Sequence, residues 1–170
     1  LRTHLPGEAT VLEIASGTGQ HVCHFAGELT DFTWIPSEKD TDALVTLSQG
    51  LDGLAGSNVA APLMVDVTGA WPEFVLDAVI VANLLHISPP ATVQALCRGA
   101  AGVCRSGGVL HIYGPFKQGG KHTSHGNAAF DESLRRQDPD WGIRDAEVVI
   151  NAAEEAGFRA LEQIAMPANN

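Results

Sequence analysis

Glu13, Ser16, Gly17 and Gly19 stand close together in the run Thr10 to His21, TVLEIASGTGQH. A carboxylate, a hydroxyl and two glycines in that spacing offer a negative charge, a polar side chain and backbone amides open to close approach. Glu38 closes the run Trp34 to Glu38, WIPSE. Asp66 and Val67 follow Pro62-Leu63-Met64-Val65. His86 lies in Asn83 to Ser88, NLLHIS, and Tyr113 ends Val109 to Tyr113, VLHIY. An imidazole is the side chain that most readily trades a proton near neutral pH.

The elements that must position these groups can be read from periodicity. Thr10 to Ile14 is short, apolar and β-branched with one acid, which suits a strand buried on both faces of a parallel sheet. Ala15 to Gly19 is a turn of small residues. Val22, Phe25, Ala26 and Leu29 then fall on one stripe of an amphipathic helix. Strand, tight turn and helix form the ligand-binding opening of a doubly wound α/β domain.

The turn narrows the ligand. A dinucleotide fingerprint needs G-x-G-x-x-G. From Gly17 the third position is Val22, and from Ala15 the pattern also fails. Gln20 and His21 follow Gly19, so there is no Walker lysine. A phosphate site would avoid Glu13 at its mouth, whereas a cationic ligand without phosphates would tolerate or use it. S-adenosylmethionine is such a ligand, with a sulfonium, an ammonium, a ribose diol and an adenine.

Glu38 sits about 20 residues past the glycine turn, where a carboxylate accepts from ribose hydroxyls in nucleotide-type folds. Its two oxygens match a vicinal diol; the alternative is a cap on the next helix, for which Asp40 and Asp42 are equally placed. Asp66 could accept from the adenine amine with Val67 covering the ring, or it could start the turn before Trp71-Pro72. His21 and His24 are three apart, as are His122 and His125, but neither pair has a carboxylate or cysteine at ligand spacing, so no metal is expected. Ser16 lies in Ala-Ser-Gly rather than in a nucleophile elbow.

The remaining elements follow in order. Leu1 to Gly7 reads as the tail of a helix and a turn. Phe32 to Ile35 is a second strand. Leu44, Leu47, Leu51 and Leu54 mark a helix ending near Gly53 and Gly56. Pro62 to Val65 is a third strand, and Leu76 to Asn83 a fourth and clearly buried one. Pro89-Pro90 opens a helix with Val93, Leu96, Cys97, Ala100 and Cys104. Val109 to Tyr113 is a fifth strand. Lys117 to Asn127 reads as a long polar loop, either a lid or a plain surface loop. A helix begins around Asn127, Phe130, Asp131 and Leu134. Asp138 to Gly142 is a turn, Asp145 caps a helix through Ala156 with Gly157 after it, and Phe158 to Met166 alternates as a sixth strand.

Composition sets bounds. The 170 residues, 45% hydrophobic and 18% charged, predict one globular domain spanning residues 1–170. A net charge of −10, without a Lys/Arg cluster, speaks against nucleic acid. No apolar run approaches the roughly 20 residues of a membrane span. Cys23, Cys97 and Cys104, all on predicted helices, read as reduced core thiols of a cytoplasmic protein.

Val11 to Gly19 resembles motif I of class I S-adenosylmethionine-dependent methyltransferases, with Ala15 where the first glycine usually stands. Together with WIPSE, NLLHISP, YGPFK, NAAFD, DPDWGIRD and MPANN, the chain resembles an uncharacterised methyltransferase-like family, one member of which is methyltransferase-like protein 26. The resemblance runs over essentially the whole chain. It implies a Rossmann-like class I methyltransferase fold, α/β, mostly parallel with helices on both faces. It also implies an N-terminal segment rich in Arg, Asn and Lys and a seventh strand after Asn170, so the chain is expected to be truncated at both ends. The cofactor contacts it implies are Glu13, Ala15, Ser16, Gly17 and Gly19 for the methionine part, Glu38 for the ribose, Asp66 and Val67 for the adenine, and Asn83 through its backbone. Methyltransferases acting on amides or base amines often carry Asp/Asn-Pro-Pro-aromatic where this chain has Asn83-Leu84-Leu85-His86, which argues against those acceptors. The expected activity is methylation of a small molecule or peptide, with His86 and Tyr113 as catalytic candidates. The alternatives are a non-catalytic binding protein of this fold and a nicotinamide oxidoreductase.

Overall fold

The computed structural model describes residues 1–5, 7–53 and 58–166. Two compact units are built from the chain, residues 1–82 with 102–112 and residues 83–101 with 113–170.

The first unit is a five-stranded sheet: β1 (Ala9–Ile14), β2 (Phe32–Glu38), β3 (Leu63–Met64), β4 (Leu76–Ala82) and β5 (Cys104–Tyr113), in the order β3-β2-β1-β4-β5. β1 pairs in parallel with β2, Val11 opposite Trp34, and with β4, Val11 opposite Ala78. The order reverses at β1, so the loop after β1 leaves the sheet at its switch point, where open α/β sheets bind ligands. Alternate residues of a strand face opposite ways. Ala9 and Val11 join Val22 and Ala26 of α1 (Gln20–Glu28), Leu47 and Leu51 of α2 (Thr41–Leu51), and Phe32 and Trp34 in one buried cluster. Glu13 shares that face.

The second unit holds α3 (Ala91–Val103) through residue 101, the strands β6 (Phe116–Gln118), β7 (Lys121–His122) and β8 (Arg144–Asp145), and the helices α4 (His125–Gln137) and α5 (Ala146–Ala156). The small sheet runs β7-β6-β8. Asp145 is the N-cap of α5, its carboxylate accepting from the Glu147 amide, and Gly157 closes the helix with φ 108°, as the sequence predicts.

Several expectations change. Leu1 to Leu5 forms only a turn, with the Leu5 amide on the Leu1 carbonyl. Leu54 and Gly56 lie outside the described residues. β2 extends to Glu38, because Ser37 and Glu38 find partners in Leu63 and Met64. Cys104 begins β5 rather than ending α3. Lys117 to Asn127 is not a long loop: Gly119 and Gly120, with φ 56° and 75°, join β6 to β7 as a two-residue hairpin of the kind that needs positive φ at both positions. α4 begins at His125, capped by the Ser124 side chain. Phe158 to Met166 forms no strand. Ala160 turns to φ 55°, which breaks the extended run, and Leu161, Ile164 and Met166 are exposed.

The turn after β1 is pressed onto α2. A Cβ on Gly50 would lie 2.1 Å from the Thr18 carbonyl oxygen, a backbone atom. Gly50→Ala is therefore expected to cost about 1–3 kcal/mol through overpacking, with the melting temperature falling by several degrees. Gly27→Ala, whose Cβ meets nothing within 4 Å on α1, should be neutral or mildly stabilising. Thermal unfolding of both variants checks this; equal melting temperatures would contradict it.

Candidate functional site

The site on the first unit is built from β1, β2 and the turn between β1 and α1. Ala15, Gly17 and Gly19 all adopt positive φ, at 56°, 60° and 81°. For Ala15 this left-handed backbone costs roughly 1–2 kcal/mol, a strain that glycine would avoid. Gly19 is the N-cap of α1 without a side-chain cap; its carbonyl accepts from the Cys23 amide at 3.0 Å, and it offers no side-chain acceptor to the amides before that. A Cβ on Gly19 would strike Leu51 at 2.7 Å, whereas one on Gly17 would meet nothing within 4 Å. The turn is thus closed on the α2 side and open over Gly17.

β2 fastens the turn. The Ser16 amide donates to the Ser37 carbonyl at 2.9 Å, and the Ser37 amide donates to the Ser16 hydroxyl oxygen at 3.1 Å. The Ser37 hydroxyl donates to the Glu13 carbonyl at 2.7 Å. Glu38 Oε1 accepts from the Gly17 amide at 2.7 Å, and Oε2 from the Lys39 amide at 3.2 Å. Asp40, not Glu38, caps α2 through the Ala43 amide, so Glu38 is left to the glycine turn. Ser37 and Gly50 are the positioning residues that reading the sequence missed. The first sat in view as the serine of WIPSE. The second carries no local signal, since its role is a close approach between distant segments.

Glu13 is buried, 2% exposed. Among the described residues, its Oε2 is one of two buried side-chain polar atoms without a hydrogen-bond partner, the other being Trp34 Nε1. Trp34 lies in the aromatic stack with Phe25 and Phe32, whereas the Glu13 carboxylate lies beside Ser16 of the turn. His21 Nδ1 lies 3.9 Å from Glu13 Oε1. Burial raises the Glu13 carboxyl to about 7; the Ser16 hydroxyl opposes this and the Glu38 charge adds to it.

Asp66 follows β3 and is exposed, and Val67 beside it is buried. Asp66 Oδ1 accepts from both the amide and the hydroxyl of Thr68, at 2.8 and 2.7 Å, and these bonds hold its carboxyl below the usual range. The turn-forming role is thus present in the structure, with both bonds on one oxygen.

The other predicted residues belong to the second unit. Asn83 has φ 59° and donates its amide to the Tyr113 carbonyl at 2.9 Å. His86 lies on a single 3-10 turn, Leu85–Ile87. It is buried, with its ring edge-on to Phe130 at 5.3 Å. Burial, and next the Arg144 charge, push its imidazole below its ordinary value. His122 does acquire a carboxylate, Asp131, at 2.9 Å, but Lys117 and Arg135 share that oxygen, which makes an ion-pair cluster. Among the described residues no group of three His, Cys, Asp or Glu is placed to hold a metal ion, and no helix is long and apolar enough to cross a membrane.

Residues 1–170 match a family model described as protein of unknown function (DUF938). The chain belongs to that family. Among solved structures it is similar to the S-adenosylmethionine-dependent methyltransferase SibL, at TM-score 0.81 and 20% identity, over 98% of this chain and 48% of that one. An O-methyltransferase family protein from Burkholderia thailandensis matches at 0.81 and 17%, over 92% and 48%. Human N-acetylserotonin methyltransferase in complex with SAM matches at 0.77 and 14%, over 90% and 43%. The chain spans about half the length of these structures. The fold of this DUF938 chain is therefore the Rossmann-like methyltransferase fold, a mostly parallel sheet with flanking helices, as the sequence predicts.

Glu13 carries a signed prediction. Its folded value of about 7 lies above its ordinary 4.5, so the folded state holds the proton more tightly. The stability this gives is fully present below about pH 4.5 and is lost as pH rises to about 7. At about 1.4 kcal/mol per tenfold, the whole window is worth on the order of 3 kcal/mol. Glu13→Gln should gain on wild type by about 2 kcal/mol between pH 5.5 and pH 8, measured by urea unfolding without ligand. A difference independent of pH would refute the assignment.

Proposed function

We propose that this chain is an S-adenosylmethionine-dependent methyltransferase domain acting on the oxygen of a small molecule or peptide. The observation that carries the reading is the unpartnered Glu13 oxygen, buried beside a glycine turn that is open over Gly17. A buried carboxylate with one oxygen left unpartnered can take a further cation, and the α-ammonium of the cofactor is one. NAD would bring a pyrophosphate toward that same charge, which disfavours the oxidoreductase alternative. The resemblance to the group that includes methyltransferase-like protein 26 points the same way.

On the first unit, Glu13 would bind the ammonium, while Ala15, Ser16, Gly17 and Gly19 shape the backbone around the methionine part. Glu38 would take the ribose diol. Each of its oxygens already accepts one amide and retains lone-pair capacity. Asp66 and Val67 would serve the adenine. When bound, S-adenosylmethionine supplies a methyl group already activated by its sulfonium, so the transfer asks for alignment and not for a protein nucleophile. On the second unit, Asn83 would contribute its left-handed backbone. His86, whose imidazole burial and next the Arg144 charge push below its ordinary value, is suited to take a proton from an acceptor hydroxyl at an imidazole nitrogen. Tyr113 is the weaker candidate for that task. Neighbours named as O-methyltransferases support an oxygen acceptor.

S-adenosylhomocysteine at about 100 times its dissociation constant should stabilise the chain by roughly 2.7 kcal/mol, a rise of about 5–10 °C at this size. Glu38→Ala should remove most of that rise, and NAD should give none. No rise, or a rise with NAD alone, would overturn the cofactor reading. In a methyl-transfer assay over a pool of hydroxylated small molecules, His86→Ala should slow turnover about 10²–10⁴-fold and leave the thermal rise intact. Unchanged turnover would remove His86 from the chemistry.

A further inference from the structure

His86 rides on one 3-10 turn, Leu85–Ile87, too short to fix a side chain by its own bonds. A stretch far along the chain holds it. Arg144 Nε donates to the Leu85 carbonyl at 3.0 Å, and Arg144 Nη2 donates to the Ser88 carbonyl. The Gly142 amide donates to the His86 carbonyl at 2.9 Å. Carbonyls before, at and after His86 are thus all held by Gly142 and Arg144. Nη2 also reaches the Asp140 carbonyl at 2.8 Å, which closes the turn that delivers Arg144. That delivery is itself anchored, since the Ile143 amide donates to Asp131 Oδ1 at 2.6 Å and Arg144 pairs with Phe116 in the small sheet. The planar guanidinium donates here from two separated nitrogens, Nε and Nη2; a lysine ammonium has three donors but on a single nitrogen.

We propose that Arg144 is a positioning residue for His86: its guanidinium fixes the turn that carries the imidazole without touching the acceptor. This rests on reading His86 as the proton acceptor. The guanidinium charge also bears on the ring, since Arg144 is the second cause, after burial, of the lowered His86 value. The other charges around Arg144 are Arg135, Asp131 and Asp140, and Phe130 is the aromatic neighbour of His86.

The test uses the full chain. The His86 ring is followed by NMR titration, with His86→Ala identifying its signal among the seven histidines, and its contact with Phe130 by the nuclear Overhauser effect. In Arg144→Gln, which loses both fork and charge, the His86 midpoint should rise toward the ordinary 6.5 and the Phe130 contact should be lost. In Arg144→Lys, which keeps the charge, the midpoint should move less while the Phe130 contact still weakens. A folded Arg144→Gln with midpoint and contact as in wild type overturns the inference. Should Arg144→Gln fail to fold, an unchanged Phe130 contact in Arg144→Lys overturns it equally. Failure of the base reading looks different, because His86→Ala would then turn over at the wild-type rate while the Arg144 effects on the ring persist.

Discussion

A carboxylate almost without solvent, one of its oxygens unbonded, is the constraint that organises the first unit. Burying an ionised acid without a partner is costly, and the usual escape is protonation. Glu13 sits at the balance point of that escape, raised by burial to about 7. Burial thus favours the protonated acid, and Val11 and Ala9 share its face of β1 in the buried cluster. An alkyl side chain would be better for stability alone. Its place at the end of β1, where the sheet order reverses, suits the proposed role of meeting a positive charge.

Much of the surrounding structure serves to keep that turn in one shape. β2 contributes Ser37 and Glu38, which bond to Glu13, Ser16 and Gly17. α2 contributes Gly50, whose missing side chain lets the Thr18 carbonyl seat against the helix. Ala15 accepts a left-handed backbone where glycine would be relaxed, so this contact network must outweigh a small local strain. The result is a turn closed from behind and open over Gly17, with the Ser16 and Gly17 amides already tied to β2.

The legible parts of the sequence were those with local signals. The run TVLEI, the glycine turn and the stripe of α1 specify strand, turn and helix from neighbouring residues alone, and Asp145 and Gly157 mark their helix ends through capping chemistry. What stayed hidden depends on partners far along the chain. Ser37 gains meaning only beside Ser16, Gly50 beside Thr18, and Arg144 beside Leu85 and Ser88. The hairpin at Gly119-Gly120 was a missed local signal, a glycine pair of the kind that joins two strands, hidden because the flanking strands are so short. Phe158 to Met166 alternates well, yet a strand needs a neighbour as well as a pattern, and Ala160 breaks the run.

The most direct measurement is calorimetric titration of S-adenosylhomocysteine at pH 6 and pH 8, each in two buffers of different ionisation enthalpy. Binding of its ammonium against ionised Glu13 predicts tighter binding at pH 8 and net proton release at pH 6, with both features absent in Glu13→Gln. Equal affinity at the two pH values with no proton release would contradict the claim that Glu13 is the cation-binding group of this site.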